Sequence, residues 1–229
     1  MSDQDPVFVK QAFTSIAPRY VLANHVLSLG IDVLWRKQVA RMVAEISPAR
    51  VLDVATGSGD LAVEIQKACP AETEIVGLDF CEPMLDHARK RGLKNLVVGD
   101  ATALEFENAS FDAVTVAYGL RNMESWSTAL SEFRRVLRPD GRLVVLDFSL
   151  PQLAILREPY RFYLHHILPP IGGLLTGNQE AYAYLGDSIE RFPSGQAMCE
   201  LIRTANFTEV ESIPVWGGIS SIYSGRVAN

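Results

Sequence analysis

Three carboxylates stand where short apolar runs end: Asp53 in RVLDV, Asp79 after EIVGL, and Asp100 in VVGDA. A fourth run, FDAVTVA from Phe111 to Ala117, is followed by Tyr118-Gly119-Leu120-Arg121-Asn122-Met123, which puts a guanidinium and an amide where a hydrophobic strand gives out. A carboxylate inside a strand suits a ligand bearing a cationic amine. One that closes the next strand can accept both hydroxyls of a ribose, a role shared with dinucleotide folds. The third can accept from an exocyclic amine of a purine. Arg121 is always cationic and presents a planar fork of donors, which suits an oxyanion.

Between the first run and the helix that follows it lies Asp53-Val54-Ala55-Thr56-Gly57-Ser58-Gly59-Asp60. Its glycines let the backbone turn tightly and approach a ligand beside a helix N-terminus. Gly57-x-Gly59-x-x-Ala62 also fits the dinucleotide fingerprint, and a glycine turn without a ligand stays open. Each acid alone reads as well as a helix cap or a turn residue. The three together favour a sulfonium nucleoside amino acid, S-adenosylmethionine, over a dinucleotide.

The elements that must position these residues alternate as in βαβ units around a parallel sheet. Strands are expected at 50–54, 74–78, 95–98, 111–117 and 142–146, with helices at 60–69, 82–91 and 124–137, the last ended by Pro139 and Gly141. Runs at 210–215 and 219–227, split by Trp216-Gly217-Gly218, predict an antiparallel hairpin. Two segments stand outside the alternation. Residues 1–48 hold helices at 7–16 and 34–46, and residues 151–193 are rich in tyrosine, proline and glycine. Both are expected to cover the carboxyl edge of the sheet, where open α/β folds bind ligands. The chain therefore divides into an N-terminal helical cap (1–48), a cofactor-binding core (49–150), an acceptor-pocket insertion (151–193) and a C-terminal helix and hairpin (194–229) of one domain.

The whole chain is 229 residues long, 48% hydrophobic and 21% charged, as a globular protein is. Its formal charge of −6 argues against nucleic acid as a partner. Cys69, Cys81 and Cys199 are odd in number and lack metal-ligand spacing, so neither a disulfide framework nor a metal site is expected and a reducing cytoplasm suits them. The polar start, MSDQDP, is no signal peptide. The most apolar piece, 167–175, is too short to span a bilayer but suits a membrane surface.

With these motifs in view, the chain resembles the class I S-adenosylmethionine-dependent methyltransferases, whose pattern D-x-x-x-G-x-G, strand-end acid and D-A match Asp53 to Gly59, Asp79 and Asp100-Ala101. It is more closely similar to the quinone-biosynthesis C-methyltransferases. Their G-L-R-N segment matches Gly119-Leu120-Arg121-Asn122, and their strand-five signature matches RVLRPDGRLVVLDFSLP, Arg135 to Pro151. The similarity runs on through Tyr160, Tyr163, Tyr182, Tyr184 and Gly218-Ile219. It departs at Val21 and Ala23, where the family pattern has Asp and Met, at Tyr223 in place of a common His, and at Ala117 in place of a small polar residue.

The resemblance implies a Rossmann-like α/β fold with a seven-stranded, mostly parallel sheet and an antiparallel C-terminal hairpin strand. It implies cofactor contacts from Asp53, Thr56, Gly57, Gly59, Asp79, Asp100, Ala101 and Ala117, and C-methylation of a polyprenylated quinol, demethylmenaquinol first and a methoxy-benzoquinol of ubiquinone synthesis second. Arg121, Asn122 and Tyr20 are the catalytic candidates. A quinol carbon becomes nucleophilic once a neighbouring hydroxyl, with a pKa of about 10, loses its proton, and Arg121 is placed to hold that oxyanion. Candidates for taking the proton are Tyr20, His25, Asp147 and a water on Asn122; the alternative reading of Arg121 is an ion pair with Glu124 or Asp147. Tyr160, Tyr163, Tyr182 and Tyr184 offer flat faces to a quinol ring. An NAD-dependent oxidoreductase and a non-catalytic quinone-binding factor are the competing classes. Transient contact with the inner membrane face from the cytoplasm is expected, and a homodimer is compatible with the sequence.

Overall fold

The structure, a computed structural model, describes residues 30–228. The helix expected at 7–16, together with Tyr20, Val21, Ala23 and His25, lies outside the described residues. Among the described residues one sheet has the order β3-β2-β1-β4-β5-β7-β6. β1 (Arg50–Val54), β2 (Glu74–Asp79), β3 (Asn95–Val98), β4 (Phe111–Ala117) and β5 (Leu137–Phe148) pair in parallel. β7 (Ser220–Val227) enters antiparallel between β5 and β6 (Phe207–Val215). The carboxyl ends of β1 to β5 therefore share one edge, and Asp53, Asp79, Asp100, Arg121 and Asp147 all belong to it.

Helices cover both faces. α1 (Asp32–Ala44) and α2 (Asp60–Ala68) bury Trp35, Val39, Val43, Leu61 and Ile65 against Val51, Ala113, Val144 and Leu146 of one face. α4 (Trp126–Val136) and α8 (Gln196–Thr204) close the other, where Leu130, Phe133, Met198 and Ile202 meet Leu52, Val114, Val145 and Tyr223. α3 (Glu82–Lys90) lies between β2 and β3 in the chain. α1 begins two residues before the expected start and packs as part of a helical layer, so the N-terminal segment is more than a cover for the strand ends. Arg142 Nη1 donates to the Met42 carbonyl at 2.7 Å, and so ties the last turn of α1 to β5.

α4 ends one residue before the expected Leu137, but Pro139 and Gly141 lie inside β5, which starts before the expected Arg142. The helix stops at Val136 and β5 starts at once, Leu137 pairing with Phe111 before the register slips to Ala113 opposite Arg142. The extra residues form a bulge with Asp140 at φ +61°, which accommodates a proline without a ladder N–H. β6 likewise starts earlier than expected, across a register shift between Thr208 and Glu211.

After β5 the chain builds a second, smaller helical layer: α5 (Ala154–Phe162), a π-helical turn (Tyr163–Ile167), α6 (Leu168–Thr176) and α7 (Gln179–Arg191). Leu164, Leu168, Ala181, Tyr182 and Ile189 form its core. Gly172 allows the close approach of α6 to α7, since a Cβ there would overlap the Tyr182 ring. Asn178 caps α7 by accepting from the Ala181 N–H at 3.1 Å. No described helix is long and apolar enough to cross a membrane.

Candidate active site

The glycine loop is built around its acids. Asp53 is 1% exposed, and its two carboxylate oxygens accept from the hydroxyls of Thr56 and Thr115, each at 2.7 Å. Burial pushes its carboxyl up to about 6, against those hydroxyls and the Arg36 charge, which hold it down. Asp79 accepts from the Gly57 N–H at 2.8 Å and the Cys81 N–H at 2.9 Å, and burial pushes it too to about 6. These bonds explain the turn: Gly57 and Gly59 sit at φ +57° and +79°, in the left-handed region that glycine enters freely. Asp100 is exposed, and its Oδ1 accepts from the Thr102 N–H and hydroxyl, each at 2.8 Å, while neighbouring Ala101 is buried. Beyond β4, Gly119 brings its loop against the first, since a Cβ there would clash with that of Ala55.

A cleft over this loop is lined by Arg36, Asp53, Gly57, Ser58, Asp60 and Ala117, among others. Arg36, on the first turns of α1, was not legible as a site residue in the sequence. Its signal was an arginine at a position that helix periodicity assigns to the buried stripe, one residue after Trp35. It bonds Asp32, and its guanidinium carbon lies 5.3 Å from the centre of the Tyr118 ring. Asp60 receives bonds from Ser58 and Arg91; burial pushes its carboxyl up, but Arg36, Ser58 and Arg91 outweigh that and hold it below the usual range.

Arg121 lies in a short 3-10 turn, Leu120–Asn122, directly after β4 and is 4% exposed. Of the two acids expected to compete for it, Asp147 is the partner. Arg121 Nη1 donates to Asp147 Oδ1 at 2.6 Å and to the Tyr118 carbonyl at 2.8 Å, and its backbone N–H reaches Asp147 Oδ2 at 3.3 Å. The Phe148 N–H donates to Asp147 Oδ1 as well, at 2.8 Å. Burial pushes the Asp147 carboxyl above its ordinary value even though Arg121 holds it down. Tyr118, at φ +60°, turns its ring onto Phe148 at 4.6 Å, and the Arg121 guanidinium lies over the Phe148 ring at 5.2 Å.

The helical layer after β5 brings two of the four expected tyrosines, Tyr160 and Tyr184, within reach of this arginine's charge. The Tyr184 hydroxyl donates to Asn122 Oδ1 at 3.2 Å, while Asn122 Nδ2 donates to the Tyr118 carbonyl at 3.3 Å. Tyr160 and Tyr163 stack with centroids 6.2 Å apart. The Arg121 charge bears on both the Tyr160 and Tyr184 phenols, yet burial dominates and pushes both up, so at neutral pH they are O–H donors and not bases. Tyr182 is 4% exposed and is taken up by the core of the layer. Tyr223, at the position of the family's common His, is fully buried in β7 and accepts from the Gly195 N–H at 3.0 Å.

Comparison with known proteins shows the family. The ubiE/COQ5 methyltransferase family matches residues 1–226. The chain belongs to that family. It is 47% identical over 204 residues to a demethylmenaquinone methyltransferase of Deinococcus radiodurans, covering 87% of this chain and 84% of that one. It is 43% identical to one of Thermus thermophilus, covering 93% and 98%. A ubiquinone/menaquinone biosynthesis C-methyltransferase of Citrifermentans bemidjiense is 39% identical, covering 95% of each chain. The fold is that of class I S-adenosylmethionine-dependent methyltransferases. A crystal structure of one from Thermotoga maritima, described as a possible histamine N-methyltransferase, superposes with a TM-score of 0.68 at 19% identity, covering 95% of this chain and 99% of that one.

The residues present fit S-adenosylmethionine as cofactor. A carboxylate has about four lone-pair sites; two of those on Asp79 hold the loop, which leaves capacity for a ribose diol. The desolvated Asp53 carboxylate gains a counter-charge from a cationic ligand. Gly57 leaves space against Met84 that a Cβ would narrow, its distance to Met84 Cε being 3.3 Å.

Proposed function

We propose that this protein C-methylates a polyprenylated quinol ring, demethylmenaquinol in the first place, with S-adenosylmethionine as donor. The observation that carries the reading is Arg121, a buried guanidinium held at the carboxyl edge one turn past β4, between the cofactor cleft and the tyrosines of the second layer. The names of the relatives at 47% and 43% identity support demethylmenaquinol over the benzoquinol of ubiquinone synthesis. The name of the relative at 39% covers both.

The donor supplies an activated methyl group on a sulfonium centre. The chain must orient the acceptor carbon, stabilise the charge that develops on it and exclude water. Arg121 holds the ring oxyanion beside the reacting carbon; its pairing with Asp147 keeps it charged and aimed, which speaks against Arg121 as the base. Asn122 and Tyr184 hold one another and orient the oxygen. Tyr160 and Tyr163 give a stacked surface for the ring, with Tyr182 supporting them from the core. The acceptor's hydroxyl proton leaves to a water on Asn122 or is relayed to water through the Tyr20 hydroxyl, and the ring C–H proton returns to that oxygen through water after methyl transfer; Tyr20→Phe distinguishes the two routes. Thr56, Gly57, Gly59, Asp100, Ala101 and Ala117 complete the cofactor site with Asp53 and Asp79.

The isoprenoid tail requires an apolar exit. Leu153, Ile155, Leu156, Phe162, Ile171 and Leu174 are exposed along α5 and α6, with Trp216 exposed beside Gly217, which reaches Leu156. This surface supports transient contact with a bilayer on its cytoplasmic side. The test is quinone extraction from a strain that lacks the gene. Accumulated demethylmenaquinone, reversed by the intact gene, is the expected result; an accumulated methoxy-benzoquinol would reassign the acceptor, and unchanged quinones would overturn the reading.

A further inference from the structure

The cofactor cleft is acidic, with Asp53 and Asp60 in its lining and Asp79 behind Gly57. Among the described residues that line it, Arg36 is the sole cation. Arg36 is 7% exposed and stands on the first turns of α1, fixed by Asp32 four residues earlier and by the Tyr118 ring under its guanidinium. A guanidinium carries five N–H donors. Among the described residues Asp32 is its only hydrogen-bonded partner, through one nitrogen.

A sulfonium nucleoside amino acid brings two cations and one carboxylate. The acids serve the cations and the diol, but the same acids repel the carboxylate. An anion enters such a cleft only where a fixed cation compensates it, and a planar fork binds a carboxylate with two parallel bonds. We propose that Arg36 receives the α-carboxylate of the bound S-adenosylmethionine. The inference rests on the cofactor reading above and adds a residue to it: α1, outside the βαβ core, contributes to cofactor recognition. The carboxylate then becomes the group by which the cleft distinguishes an amino-acid-bearing nucleoside from one that carries only an alkyl amine.

The test is calorimetric and needs no turnover. Wild-type protein is titrated with S-adenosylhomocysteine and with its decarboxylated counterpart, which keeps the amine. Arg36→Gln is titrated with the same two. The expected result is a loss of about thirtyfold on removing the carboxylate in wild type, and a loss at least about tenfold smaller in the variant. The ratio within one variant cancels any loss of folded fraction. Arg36→Gln removes the guanidinium that the buried Asp32 bonds, so the double variant Arg36→Gln/Asp32→Asn provides the same ratio from a neutralised pair. A ratio in wild type within about tenfold of either variant's would overturn the assignment. Failure of wild type to bind S-adenosylhomocysteine at all would instead overturn the cofactor reading.

Discussion

Asp147 Oδ1 lies 2.6 Å from Arg121 Nη1, and the carboxylate is fully buried. Removing one member of a buried pair leaves the other uncompensated, which costs about 3–5 kcal/mol. Arg121→Ala is therefore expected to lose that stability as well as methyl transfer, the latter by at least about a hundredfold, with S-adenosylhomocysteine affinity retained in the folded fraction. Asp147→Asn keeps oxygen and volume and is expected to lose less of both. Thermal unfolding, calorimetry and initial rates on the two variants separate the effects. Near-normal turnover in Arg121→Ala would remove its assigned role.

Asp53 makes stability depend on pH in the direction opposite to an ordinary carboxylate. Its folded value of about 6 lies above the reference 3.8, so the cofactor-free fold binds the proton more tightly than the unfolded chain. That stabilisation is complete below the unfolded value and is lost as pH rises through the folded one, amounting to about 3 kcal/mol at pH 8. Asp53→Asn removes the loss, because the rotatable hydroxyls of Thr56 and Thr115 can donate to the amide oxygen and accept from its nitrogen. The variant should melt higher than wild type at pH 8, show no advantage near pH 4, and bind S-adenosylhomocysteine more weakly. A melting difference independent of pH contradicts this account.

Tyr223 holds the backbone N–H of Gly195, a glycine at φ +58° that leads into α8. Tyr223→Phe should cost about 1 kcal/mol of stability and leave kcat unchanged. A fall in kcat of tenfold or more would give this position a part in catalysis.

Phe162 and Leu174, 57% and 87% exposed, belong to the apolar side of the second helical layer. A Phe162→Ser/Leu174→Ser variant should associate with phosphatidylglycerol-containing vesicles at least about tenfold more weakly, with a water-soluble short-chain quinol still methylated at the wild-type rate. Unchanged vesicle binding would place the membrane contact elsewhere.

Much of this was legible in the sequence, for identifiable reasons. The parallel strands are continuous apolar runs, and once they are parallel the acids that end them must share an edge; hence Asp53, Asp79 and Asp100 were readable before any coordinates. Pro139 and Gly141 misled because the same residues that stop a helix also fill a strand bulge. The tyrosines of α7 show what a missing helix assignment hides. Tyr182 and Tyr184 are two residues apart, about 200° around a helix, so one enters the core while the other turns to Asn122. Tyr160 and Tyr163 are three apart and stack. Arg36 was hidden by treating α1 as a cover, since a charged residue on its buried stripe acquires meaning only when the facing cleft is known to be acidic.

Arg36 lies over the Tyr118 ring, Tyr118 against Phe148, and Arg121 over the Phe148 ring, at 5.3, 4.6 and 5.2 Å. Methyl transfer in line tolerates a misplacement of about 1 Å at the cost of a hundredfold in rate. Loops drift further than that, but Tyr118 stands one residue past β4 with its N–H bonded to the Leu146 carbonyl of β5 at 2.7 Å, and Phe148 is the last residue of β5. With Arg36 and Arg121 in their proposed roles, the spacing between donor and acceptor would follow from the ends of β4 and β5, as a fixed gauge.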